Sequence, residues 1–173
     1  MAWFTRTSLF WKGLSWLEVL LVLATFVVLV AIIIPVRAGG GPTPMTACYS
    51  NVEQMAHAMI MYSADYDDRF PLRENWMEST YEYRKSDNML RCPTFAWDEK
   101  APKNHYGYAM NQTLSGAKTP PNPGTVPLVF DSVNLARNAT GTLGSLPNPG
   151  RHNGKDMISY ADGHAKAVYP NKP

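Results

Sequence analysis

Cysteine is nearly absent: Cys48 and Cys92 are the only two in 173 residues. Neither stands in a Cys-x-x-Cys pair or beside a histidine, so the spacings of zinc fingers and ribbons are missing and no metal or other cofactor is expected. An excess of one charge is lacking too. There are 16 Lys+Arg against 14 Asp+Glu, and with Arg6 and Lys12 set aside each sign has 14. Such neutrality argues against a broad basic surface, and no nucleic-acid partner is expected. No Gly-x-Ser-x-Gly elbow marks a nucleophile, so no enzymatic activity is expected. The acidic stretch Ala64-Asp-Tyr-Asp-Asp-Arg-Phe-Pro71 lacks the glycine and distal glutamate of a calcium loop, and reads as a solvated turn that caps and exits a helix. Internal repeats and heptads are missing.

A long apolar run is present. Residues 12–36 read KGLSWLEVLLVLATFVVLVAIIIPV. From Leu14 to Ile34 there are 21 residues, or about 31 Å of helix, close to a bilayer core of about 30 Å. Secretory h-regions are shorter, usually about 7–15 residues, although Val36-Arg37-Ala38 has some likeness to a small-residue cleavage site. Glu18 is the one charge between Leu14 and Ile34. A carboxylate there costs roughly 2.5–3.5 kcal/mol on insertion scales and marks a functional site by default. A plain single-pass anchor leaves it unexplained. Arg6 and Lys12 before the run place the N-terminus in the cytoplasm and the rest outside it, in a single-pass inner-membrane topology.

Beyond Pro35 the composition changes. Residues 37–44, RAGGGPTP, cannot continue a helix, so an interruption is expected between Ala38 and Pro44. A second helix is predicted from Met45 to Tyr62. Cys48, Val52, Met55, Met59 and Tyr62 recur at steps of four and three along one stripe. The methionines at 45, 55, 59 and 61 read as a core face rather than a copper box. Short strands are predicted at Met89–Cys92, Tyr106–Met110 and Val126–Phe130 among Pro/Gly-rich loops. The clearest element is a terminal hairpin, Asp156–Tyr160 and His164–Tyr169, joined through Asp162-Gly163, whose residues tolerate positive φ.

Two cysteines in an exported domain predict a Cys48–Cys92 disulfide, the alternative being two separately buried thiols. His152, Asp162 and His164 offer two imidazoles and a carboxylate. They are read as structural, with Asp162 bonding its own turn and His152 satisfying backbone groups before the strand. Metal binding by the three is the other reading.

Gly13-Leu14-Ser15-Trp16-Leu17-Glu18 before an aliphatic helix resembles the leader junction of type IV pilins and type II secretion pseudopilins. The resemblance implies cleavage by a prepilin peptidase between Gly13 and Leu14, and methylation of Leu14. It also implies that Glu18 meets the N-terminal amine of a neighbouring subunit during assembly. Leu14 stands where phenylalanine is usual. CYSNVEQMAHAMIMYSADYDDRFP, Arg91-Cys92-Pro93, HYGYAMN, the Pro127–Asp131 strand and RHNGKDMISYADGHAKAV are similar to a group of pseudopilin-like proteins. That group has a C-terminal motif of His, nine residues, then Asp-Gly, which His152, Asp162 and Gly163 fit.

The fold implied is α+β and pilin-like, a transmembrane assembly helix followed by a second helix packed on a small antiparallel sheet. Its parts are a leader (1–13), the membrane helix (14–36), a linker (37–44) and an extracytoplasmic domain (45–173). The expected function is a subunit of a type IV pilus or type II secretion-like filament. Its partners would be the peptidase, other subunits and an inner-membrane assembly platform. The competing reading is a membrane-tethered binding module for carbohydrate, DNA or metal, with Trp76 and Trp97 stacking on the ligand. An extracytoplasmic hydrolase is a third.

Overall fold

The structure is a computed structural model that describes residues 15–38 and 42–170. The chain divides into two compact units at residues 41 and 42.

In the first unit α1 spans Trp16–Ala38. Its start is fixed reciprocally. The Ser15 amide donates to Glu18 Oε2 at 2.7 Å, and the Glu18 amide donates to Ser15 Oγ at 3.3 Å. This is a capping box, and it satisfies two of the donors that every helix start leaves open. The hydroxyl of Thr25 donates to the Val22 carbonyl at 2.8 Å, which leaves no unmet donor in the middle of the apolar stretch. Trp16–Ile34 is long and apolar enough to cross a membrane. The helix runs on past Pro35 to Ala38, four residues beyond Ile34.

The second unit begins with α2, Pro44–Asp65. Thr43 is extended (φ −71°, ψ 157°) and its side chain accepts from the Thr46 amide, so α2 has its own N-cap and is separate from α1. Proline opens it at the position where its missing N–H costs nothing. The predicted stripe is the buried face: Cys48, Val52, Met55 and Met59 are all at most 2 % exposed. Met61 points outward instead. The helix exits as the acidic turn, with Asp67 and Asp68 at positive φ and the Asp68 amide donating to the Ser63 carbonyl.

Five strands follow: β1 Tyr108–Asn111, β2 Pro127–Asp131, β3 Thr140–Gly141, β4 Asp156–Tyr160 and β5 Ala165–Val168. Their order in the sheet is β3-β1-β2-β4-β5. All pairings are antiparallel except β1 with β3, which is parallel. The chain is therefore α+β. The predicted strand at Met89–Cys92 is absent. Asp87–Leu90 is instead a 3-10 turn whose Ser86 side chain accepts from the Asn88 amide, as Ser-Asp-Asn favours.

α2 covers one face of the sheet, over Tyr108, Met110, Leu128, Val129 and Met157, while Ala109, Phe130 and Ile158 face the other way. Strict alternation would send Leu128 and Val129 to opposite faces. The β2–β4 register shifts between Pro127 and Val129, and this irregularity turns both inward. The Ser159 hydroxyl serves the disturbed ladder, donating to the Val129 carbonyl at 2.9 Å and accepting from the Val129 amide at 3.3 Å. Trp76 is fully buried and donates from Nε1 to the Ala139 carbonyl at 3.1 Å, so it is a core residue and not a stacking platform.

Candidate metal centre

Four segments converge beneath α2. Cys48 comes from the first turns of α2. Cys92 precedes the short helix α3, Pro93–Ala96, and its amide donates to the Tyr106 carbonyl at 2.7 Å. Asp131 ends β2, and His152 lies just before β4. Their ligand atoms all lie within 4.8 Å of one another, and all four residues are buried. Among the described residues this is the only such group of three or more histidine, cysteine or carboxylate side chains.

Turn chemistry aims His152. Asn153 and Gly154 both have positive φ (57° and 82°), while the His152 and Lys155 backbones exchange hydrogen bonds, which makes a tight reversal on Asn-Gly. Arg151, thrown to the other side, donates from Nη1 to the Gly107 carbonyl at 2.8 Å and to Asp131 Oδ1 at 3.1 Å. Gly107 has φ +89°, and a Cβ there would stand 2.9 Å from Phe95, 3.1 Å from Cys92 Cβ and 3.1 Å from Arg151 Nη1. Only glycine lets these three close around the centre.

Cys48 Sγ donates to Asp131 Oδ1 at 3.4 Å and itself accepts from Tyr108 Oη at 3.3 Å. Cys92 Sγ and His152 Nε2 are 3.6 Å apart, and His152 Nε2 and Asp131 Oδ2 are 3.5 Å apart. Burial pushes the Cys48 thiol well up, and the neighbouring Cys92 and Asp131 add to this. A hydrogen bond from Cys48 brings Cys92 down to about 5 against the effect of burial, helped by His152 and Arg151. For His152 burial works against the charged ring, but hydrogen bonds to Asp131 and Cys92 outweigh it and hold it up at about 9.

This geometry is not a nucleophile relay. In a Cys-His-Asp relay one ring nitrogen faces the sulfur and the other the carboxylate. Here Nε2 faces both, and none of the four residues is more than 4 % exposed, so no substrate reaches the sulfur.

The structure brings Cys48 and Cys92, expected as a disulfide, side by side as free thiols. Each sulfur is engaged by a polar partner, Tyr108 and Asp131 for Cys48 and His152 for Cys92. The trio His152, Asp162 and His164 is not brought together. His152 joins the cysteine cluster, whereas Asp162 stays at the β4–β5 turn, accepting on Oδ1 from the His164 amide at 3.2 Å and facing its Nδ1 at 2.6 Å. Asp162 thus bonds its own turn, and Gly163 has the expected positive φ, +98°. Gly13 and Leu14 lie outside the described residues. Asp131, Arg151 and Tyr108 went unread in the sequence. The Asn153-Gly154 pair was a legible signal for the turn that aims His152. Compared with known proteins, the chain matches no family model, no curated protein and no solved structure.

Proposed function

We propose that the chain is a structural subunit of a type IV pilus or type II secretion-like filament, processed by a prepilin peptidase after Gly13. The observation that carries this reading is α1. From Trp16 to Ile34 its side chains are exposed nearly all round, and Glu18 is the only charge among them. A helix apolar on every side needs lipid or other helices around it. A filament subunit uses both in turn, the bilayer while stored and neighbouring α1 helices once assembled. Glu18 at the first turn then meets the N-terminal amine of a neighbouring subunit, in a low-dielectric bundle where an unpaired charge is costly. In this reading the N-terminus is cytoplasmic, and α2 on its sheet is a pilin-like domain outside the inner membrane.

N-terminal sequencing of the protein from its native membrane tests this. Leu14 as the first residue is expected. An intact Met1 speaks for a plain anchor and Gly39 for a secretory signal, and either result removes the proposal. A membrane-tethered binding module is the second reading. It is favoured by an open groove beside α2 lined by Asn51, Gln54, Asp87, Arg91, Trp97 and Arg137, in which Trp97 is exposed.

A further inference from the structure

We propose that Cys48, Cys92, Asp131 and His152 form a structural zinc site that fastens α2 to the sheet. Metal–sulfur bonds of about 2.3 Å and metal–nitrogen or –oxygen bonds of about 2.0–2.2 Å, at tetrahedral angles, put neighbouring ligand atoms roughly 3.3–3.8 Å apart. Two edges have these lengths whichever Asp131 oxygen ligates: Cys92 to His152 is 3.6 Å, and Asp131 adds either 3.4 Å from Oδ1 to Cys48 or 3.5 Å from Oδ2 to His152. The remaining pairs lie within 4.8 Å.

The surroundings suit an ion. Asp131 uses one lone pair on each oxygen for a fixed donor, Arg151 Nη1 on Oδ1 and the Met157 amide on Oδ2 at 2.7 Å. A carboxylate has about four acceptor positions, so one on each oxygen is left toward the cluster. Outer hydrogen bonds of this kind hold a ligating carboxylate in place. Two thiolates and a carboxylate against a divalent ion and the Arg151 guanidinium leave no net charge, which a dry site requires. Two thiolates with an imidazole select zinc over magnesium or calcium, and four protein ligands leave no open position for catalysis.

Two alternatives use the same atoms. A disulfide needs only the sulfurs and does not use the buried His152 ring or the acceptor positions that Asp131 keeps toward the cluster. A bare hydrogen-bond network asks His152 Nε2 to serve both the Cys92 sulfur at 3.6 Å and Asp131 Oδ2 at 3.5 Å. Zinc employs every one of these groups.

The test uses the full chain, extracted from membranes in detergent. Bound metals are measured, and thiols are counted by alkylation after denaturation with a chelator and no reductant. A single equivalent of zinc and two alkylated thiols are expected. Cobalt(II) added to the metal-free chain should give intense sulfur-to-cobalt charge transfer and tetrahedral ligand-field bands. Cys92→Ser and His152→Gln should lose bound zinc and weaken or shift those bands, whereas Asp162→Asn and His164→Gln should keep both. The parent cobalt spectrum decides the matter even where a variant fails to fold. Copper in place of zinc, an intact disulfide, or free thiols with neither bound metal nor a thiolate–cobalt spectrum would each overturn the proposal.

Discussion

Gly163 at the tip of the β4–β5 hairpin lies against His57 of α2: a Cβ built on it would stand 2.7 Å from His57 Cε1 and 2.9 Å from Nδ1. Its φ of +98° is closed to side chains in any case. Gly163→Ala should therefore cost about 1–3 kcal/mol and lower the Tm of the chain by several degrees. Removing the clash with His57→Ala should restore only part of that loss, since the backbone strain stays. Thermal melts of the two single variants and the double variant check this, and a Gly163→Ala chain that melts with the parent would show that the tip is not constrained.

Glu18 has two roles that one substitution can separate. Its carboxylate accepts from the Ser15 amide, and glutamine can do the same without charge. Glu18→Ala should lose the carboxylate half of the capping box, worth about 0.5–1.5 kcal/mol, and filament incorporation with it. Glu18→Gln should keep the helix start yet still fail to assemble if charge pairing drives assembly. Pelleting of sheared filaments followed by immunoblotting gives the readout. Normal assembly of the glutamine variant would reduce Glu18 to a capping residue.

Asp156 should impose a pH dependence of its own. It is fully buried, its Oδ1 accepts from the Arg151 amide, and its Oδ2 has no partner. Burial raises its pKa from 3.8 to about 6, Asp131 adding to this while the Arg151 amide, Arg151 and His152 oppose it. The folded chain then holds a proton that the unfolded chain releases near 3.8. The cost is thus small below pH 4, grows as pH rises toward 6, and stays at about 2–3 kcal/mol above it. Asp156→Asn keeps an acceptor for the Arg151 amide and removes the titration. Urea denaturation should find the variant more stable than the parent at pH 7, with the gap closing toward pH 4. A gap independent of pH would refute this.

Local signals were the ones legible in the sequence. The Cys48–Val52–Met55–Met59 stripe located α2, and Asp162-Gly163 located the β4–β5 hairpin, because each signal lies within a few residues of what it dictates. The cluster was not legible for the opposite reason. Cys48, Cys92, Asp131 and His152 come from four separate segments, and only the antiparallel pairing of β2 with β4 sets Asp131 beside the start of β4. Asp131 carries no local mark at all, being one aspartate at a strand end. Ser15-x-x-Glu18 is a capping-box pattern, a local signal that sits beside the rarity of a charge in an apolar run.

The ends of the sheet bear on how copies of this domain can meet. β3 has two residues, and β5 has four, followed within two positions by Pro170. Lys166 points outward from β5. Short, charged and proline-stopped margins offer little backbone for another strand to add to. Crowding many copies together therefore favours side-chain contact over cross-β stacking, so the domain can be held at high local density without seeding amyloid.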